Sequence, residues 1–205
     1  MLADLNIRDF LARTASKEPV PGGGSISALC ASVAAALAEM VAALTVGRKG
    51  YEAQGPEMEK IAQEAAGYRE KLAGEIDRDS EAYAEVMAAF RLPKETEEEK
   101  AERSKAVQQA LKKAALVPLG VAEDAFQVME MAGKVIEKGN RNAVTDGAVA
   151  VMTARTAVLG ALYNVKINLG SIKDEDFVAQ IAKRVESLEG SVVEKEREFL
   201  ARVKL

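Results

Sequence analysis

The sequence predicts an all-α fold, an up-and-down bundle of about five long helices, and three observations carry that prediction. Apolar residues recur at helical spacing from end to end, and no segment alternates as a half-buried strand does. Prolines and glycines punctuate the chain at intervals that suit long helices. Hydrophobic residues make up 48% of the 205 positions, enough for one sizeable core, so residues 1–205 are read as a single domain.

The elements follow in order. A short helix near Ile7 to Thr14 leads to the loop Glu18-Pro19-Val20-Pro21-Gly22-Gly23-Gly24 and a long helix from about Ser25 to Leu44. Pro56 suits the first turn of a second long helix, which runs to about Phe90 and ends before Leu92-Pro93. Thr96 and Glu99 form a capping box for a third, which Pro118 should kink or break in two. Gly139-Asn140 is a C-terminal stop, and a fourth long helix covers about Asn142 to Leu169. Ser171 and Asp174 offer caps for the last, which ends near Val203. The first and fourth long helices are rich in Ala, Gly, Ser and Thr. Such faces pack closely, and they suit a core completed across a homodimer.

Composition narrows the chemistry. A net charge of -4 gives no basic face for nucleic acid. The longest weakly polar stretch, Ile26 to Val46, carries Ser27, Ser32 and Glu39 and does not read as a membrane span, and the first residues lack a secretory signal pattern. A cytoplasmic protein with no membrane partner is expected. With no histidine, a His-dependent triad or His-ligated metal site is excluded. Cys30 is the only cysteine, read as a buried structural thiol rather than part of a disulfide or metal cluster. Catalysis is left to carboxylates, lysine, amides, hydroxyls and helix ends, with no metal expected.

Several groups of residues could carry that chemistry. Asp146, Ala150, Thr153, Ala157, Gly160 and Asn164 fall on one helical stripe, with Asn168 one turn further along. Small residues between polar ends can form a groove for a flat polar ligand, or simply a helix–helix seam. Gly22-Gly23-Gly24-Ser25 places flexible backbone before a helix N-terminus, where free N–H groups favour a carboxylate or phosphate; taken alone, the segment is better explained as a plain helix start capped by Ser25. Ser25, Ser32 and Glu39 share a face at heptad spacing. Asp77 and Asp79, two apart, diverge by about 200° on a helix and are no acid–base pair by spacing. Gly47-Arg48-Lys49-Gly50-Tyr51 sets two cations and a phenol after the first long helix, where basic residues also suit the helix dipole.

Taken in sequence, Pro21-Gly22-Gly23-Gly24-Ser25, Gly47-Arg48 with Tyr51, Asp77-x-Asp79 before Tyr83, Arg91-Leu92-Pro93-Lys94, Glu98-Glu99-Lys100, Val117-Pro118-Leu119, Gly139-Asn140, Asp146, Asn164-Val165-x-Ile167-Asn168-Leu169 and Ile172-x-Asp174-Glu175-x-Phe177 resemble one family over almost the whole chain. That family is the cyclodeaminase domain of formimidoyltransferase-cyclodeaminase and its stand-alone relatives, including methenyltetrahydrofolate cyclohydrolases. The resemblance implies an all-helical dimer that binds reduced folate without metal or a tightly bound cofactor. It implies one of two reactions, ring closure of 5-formimidoyltetrahydrofolate with loss of ammonia, or hydrolysis of 5,10-methenyltetrahydrofolate. A separate formimidoyltransferase is the partner implied for the first. On this resemblance Asp146 or Asp77 handles protons, while Asn164 and Asn168 orient the pterin or the reacting group. Lys49 and the Gly22, Gly23, Gly24, Ser25 segment suit the folate glutamate tail, and Asn140 joins the substrate-binding set. The alternative from another class is a non-catalytic helical module that binds a ligand or partner.

Overall fold

Three of the six helices begin at a residue whose side chain accepts a first-turn N–H, and three do not. In a computed structural model that describes residues 1–204, the helices are α1 (Ile7–Thr14), α2 (Gly23–Ala43), α3 (Gly55–Phe90), α4 (Glu97–Lys138), α5 (Val144–Leu169) and α6 (Glu175–Leu200), with a 3-10 turn at Arg141–Ala143 before α5. The Asn6 side chain accepts from the Asp9 N–H to start α1, and Asp174 accepts from Phe177 to start α6. Pro56 occupies the first turn of α3, and the Thr96–Glu99 capping box opens α4. Gln54 and Ala143, the N-caps of α3 and α5, make no such bond, and neither does Gly22, the N-cap of α2, which has no side chain to offer. Helix α2 starts at Gly23, two residues before the expected Ser25.

The five long helices share one core, to which α1 adds Phe10. Antiparallel α2 and α5 lie side by side, α3 flanks α2, α6 flanks α5, and α4 packs behind them. Alanines line the α2–α5 seam: Ala28, Ala31, Ala35 and Ala38 meet Ala150, Ala154, Ala157 and Ala161 with no exposure. The approach is close enough that a Cβ on Gly160 would lie 2.6 Å from the Ser27 Oγ. Most of the Asp146-to-Asn164 stripe is therefore seam, and its middle offers no groove. The heptad Ser25, Ser32 and Glu39 is a second seam, turned towards α3. Ser32 donates to the Arg69 carbonyl at 2.9 Å, and the Glu39 carboxylate accepts from the Arg69 guanidinium at 2.8 Å.

Helix α4 is not broken in two at Pro118; it continues through this buried proline for 42 residues. Proline lacks the N–H that would bond the carbonyl four residues back, and here that carbonyl belongs to Ala114. It is not left empty, because the Asn168 side-chain amide on α5 donates to the Ala114 oxygen at 2.8 Å. A buried acceptor without a partner costs about 1–3 kcal/mol, so this cross-helix bond offsets the defect that proline makes. Asn168→Leu should therefore destabilise the fold by about 1–3 kcal/mol. In a Pro118→Ala background, which restores the N–H, urea titration should find that loss clearly smaller. Equal losses in both backgrounds would break the link between the two residues.

Candidate functional site

The uncapped start of α2 opens onto a cavity of about 360 Å³ at one end of the bundle. Four elements line it: Pro19 to Gly24 before and within α2, Asp79 and Tyr83 on α3, Ala114 on α4, and Asn164, Ile167 and Asn168 on α5. Backbone approaches carboxylate very closely here. A Cβ on Gly24 would sit 2.0 Å from an Asp79 oxygen, and one on Gly23 would sit 3.2 Å from the Asn164 Nδ2. At Gly24 only a glycine fits against the carboxylate as it stands, whereas a Cβ at Gly23 would ask Asn164 to give by a few tenths of an ångström. The fully buried Ser25 hydroxyl bridges to α3, 2.9 Å from the Ile76 carbonyl and 3.1 Å from the Asp79 carboxylate. Ser25 is thus a positioning group for Asp79 and does not cap α2.

Asp79 is the acid of this pocket. Burial raises its pKa above the usual carboxylate value, and hydrogen bonds from the Ser25 hydroxyl and the Ser25 backbone N–H pull partly the other way. Opposite stand the two amides, each anchored by one N–H: Asn164 to the Gly160 carbonyl at 2.9 Å and Asn168 to Ala114. The remaining N–H and the carbonyl oxygen of each amide are available to a ligand. Among the described residues no three Asp, Glu or Cys side chains converge as a metal site would require. Two larger hollows, about 780 Å³ at the other end of the bundle and about 600 Å³ along α3 and α4, are lined by charged side chains such as Lys138 and Lys71, which pair with Glu57 and Asp124.

The fold therefore divides the residues that the sequence singled out. Gly22, Gly23, Gly24, Ser25, Asn164 and Asn168 come together, and Asp79 joins them. Asp77 does not: its carboxylate accepts from the Leu2 and Ala3 N–H groups at 2.6 and 3.2 Å, holding the N-terminal segment on α3. Spacing had already separated the two aspartates, and only the packing of α2 on α3 selects between them. Asn140 is buried and spent on structure. Its N–H donates to Thr45 at 2.8 Å, its amide to Leu44 at 3.3 Å, and its carbonyl oxygen accepts from Asn142 at 3.0 Å. Lys49 is exposed in the loop after α2, which the Tyr51 hydroxyl ties to Arg141 at 3.1 Å. Both therefore belong to the opposite end of the bundle. So does Asp146, about 27 Å along α5 from Asn164. Sharing a helical face says nothing about distance along it.

A half-buried acid set against amides and a bare helix start is the equipment of an enzyme that moves protons on a flat polar molecule. The chain belongs to the formiminotransferase-cyclodeaminase family, whose model matches residues 6–187. It is 38% identical over 188 residues to a methenyltetrahydrofolate cyclohydrolase of Methylorubrum extorquens, covering 92% of this chain and 90% of that protein. It is 34% identical to the formimidoyltransferase-cyclodeaminase of Rattus norvegicus, covering 91% of this chain but 35% of the longer rat protein. The crystal structure of formiminotetrahydrofolate cyclodeaminase from Thermotoga maritima superposes with a TM-score of 0.89 at 32% identity, covering 99% of this chain and 98% of that one.

The raised pKa of Asp79 has a consequence for stability. A carboxyl whose folded pKa lies above its unfolded one favours the fold below the unfolded pKa, and that advantage is lost as pH rises through the folded pKa. The uncharged isostere escapes the loss. Asp79→Asn should melt higher than the parent at pH 7, with the gain shrinking towards pH 3. A variant that melts lower at pH 7 would show that the ionised carboxylate stabilises the fold.

Proposed function

We propose that the chain is an enzyme of folate one-carbon chemistry that hydrolyses 5,10-methenyltetrahydrofolate to 10-formyltetrahydrofolate, with Asp79 moving the protons. The observation that carries this reading is the half-buried Asp79 carboxyl, its pKa raised by burial, set beside Ser25 and opposite the Asn164 and Asn168 amides. The full-length likeness to the Methylorubrum cyclohydrolase supports the choice of reaction.

The methenyl carbon is an electrophile bonded to N5 and N10. Water attacks it and gives a proton to the Asp79 carboxylate, leaving a neutral tetrahedral carbinolamine. Asp79 then returns that proton to N5 as the carbon–N5 bond breaks. The hydroxyl proton leaves to solvent and a formyl group remains on N10, so one water is consumed and one proton released. An acid with a raised pKa serves both halves, because it takes and returns a proton at small cost. The two amides hold the flat pterin in register, which converts an encounter into an oriented attack. The bare N-terminus of α2 suits an anionic group of the folate.

A second reading, cyclodeaminase, has its own support in the Thermotoga neighbour. There N10 attacks the formimidoyl carbon on N5, and Asp79 protonates the nitrogen that leaves as ammonia. Both reactions pass through a tetrahedral carbon bonded to N5 and N10. In either case we place the enzyme in the cytoplasm as a homodimer, with no bound cofactor, receiving the formimidoyl substrate from a separate transferase if it closes the ring.

The near-ultraviolet absorbance of the methenyl form separates the two reactions. Enzyme-dependent loss from methenyltetrahydrofolate is expected, a gain from formimidoyltetrahydrofolate marks the second reading, and no change in either assay leaves a binding module. Asp79→Asn should lower kcat by about 10²-fold or more with the fold intact. A folded variant with near-normal turnover would remove Asp79 from the mechanism.

A further inference from the structure

The outward face of the α2–α5 pair is uncharged and mostly apolar, interrupted on α5 by the exposed Thr145 and Thr156. Val33, Met40 and Leu44 on α2 and Val149, Met152 and Ile167 on α5 are exposed there, Ile167 to 75%. The two helices carry four charged residues, and three turn sideways: Glu39 to Arg69 on α3, Arg155 to Glu196 on α6 and Lys166 to Glu189 on α6. The fourth is Asp146. It is half-buried and has neither ion pair nor hydrogen bond among the described residues.

Two helices about 10 Å wide and 30 Å or more long present about 600–700 Å² of such face, close to the roughly 800 Å² per partner of a stable interface. By length and composition α2 and α5 could also cross a bilayer. Yet α3 and α6 lie directly beside them with ion-paired charges along their length, and lipid would have to cover those charges too. A second copy of this chain covers the apolar face and leaves the charges in water.

Two pairings bury the face on itself. With the two copies side by side in the same sense, Asp146 would press against the C-terminal end of the partner's α2, among apolar side chains and at the negative pole of that helix. Turned end for end about the middle of α5, near Thr156, Asp146 comes level with residue 166 of the partner subunit, within about one helical turn of its Asn164 and Asn168. The uncapped N-terminus of the partner's α2 lies at that level as well, and its positive pole suits a carboxylate. Asp146 also leans towards the α2 side of its helix, as Asn164 does. The face runs directly into the pocket, because Ile167 belongs to both.

We propose that a second copy, turned end for end, closes the α2–α5 face and that each folate pocket is completed by Asp146 of the partner subunit. This deepens the reading of the site as a folate enzyme, because it gives each pocket a second carboxylate that the single chain lacks. It also joins the two ends of the bundle among which the sequence had scattered the site.

Complementation between inactive variants tests it. Asp79→Asn and Asp146→Asn each alone should lose about 10²-fold in turnover while sedimenting as dimers. Mixed in equal amounts through a dissociating step, they should recover about a quarter of wild-type activity, since half of the dimers are hybrids with one intact and one doubly altered site. If each site lies within one chain, every hybrid site carries one lesion and nothing is recovered, which overturns the proposal. An active Asp146→Asn dimer overturns it too, while the loss in Asp79→Asn still stands for the folate site. Val33→Glu, which buries a charge in the face without touching the pocket, should give an inactive monomer. An active dimer, or a parent chain that sediments with phosphatidylcholine vesicles instead of with itself, assigns the face to something else.

Discussion

The contact on which the site depends is the first turn of α2 lying against the Asp79 carboxylate, made possible by the missing side chain of Gly24. A single Cβ there would overlap the carboxylate, so α2 would be pushed away from α3 at the point where both frame the cavity. Because the residues before it are also glycines, no N-cap side chain covers the helix start; the Ser25 N–H meets Asp79, and the N–H groups of Gly23 and Gly24 are left to the pocket. Ser25, one residue on, then uses its hydroxyl to hold α3 in place. One short segment thus supplies the close approach, the positive pole and the buried donor. The cost falls on Asp79, whose charged form is desolvated by the same packing that positions it.

The opposite wall is fixed by equally indirect means. Asn168 completes the hydrogen bonding of α4 where Pro118 interrupts it, and Asn164 bonds a carbonyl of its own helix at Gly160, where α5 lies close against Ser27 of α2. Each amide is held by backbone rather than by another flexible side chain, which limits rotation before any ligand arrives. The alanine seam between α2 and α5 has the same effect on a larger scale. Small side chains in full contact leave the helices little room to slide, so Asp79 on one side and the amides on the other keep their separation.

Much of this was legible in the sequence, because helix spacing and caps are local. The capping box at Thr96, the proline at the start of α3 and the stop at Gly139 fall where expected. Family likeness points to the glycine segment for the glutamate tail and to the two asparagines for the pterin or reacting group, and the fold brings both into one pocket. What local reasoning could not see was distance along a helix and competition for a side chain's bonds. Asp146 shares a face with Asn164 from five turns away. Asp77 and Asn140 sit in family motifs yet spend their polar atoms on the N-terminal segment and on the end of α2. Asp79 was passed over because its role appears only when α2 packs across α3. Pro118 leaves α4 unbroken because the repair comes from a residue fifty positions later.

If Asp79 moves the proton with Ser25 as its tuning partner, the pH dependence of Ser25→Ala is the most direct measure of that link. Removing the hydroxyl takes away the side-chain donor that favours the ionised carboxylate, so the Asp79 pKa should rise further. In a profile of kcat/KM with methenyltetrahydrofolate, the acidic limb of Ser25→Ala should move to higher pH while the plateau above it stays within a few-fold of the parent. A limb that stays in place in a folded Ser25→Ala enzyme would mean that another group carries the proton.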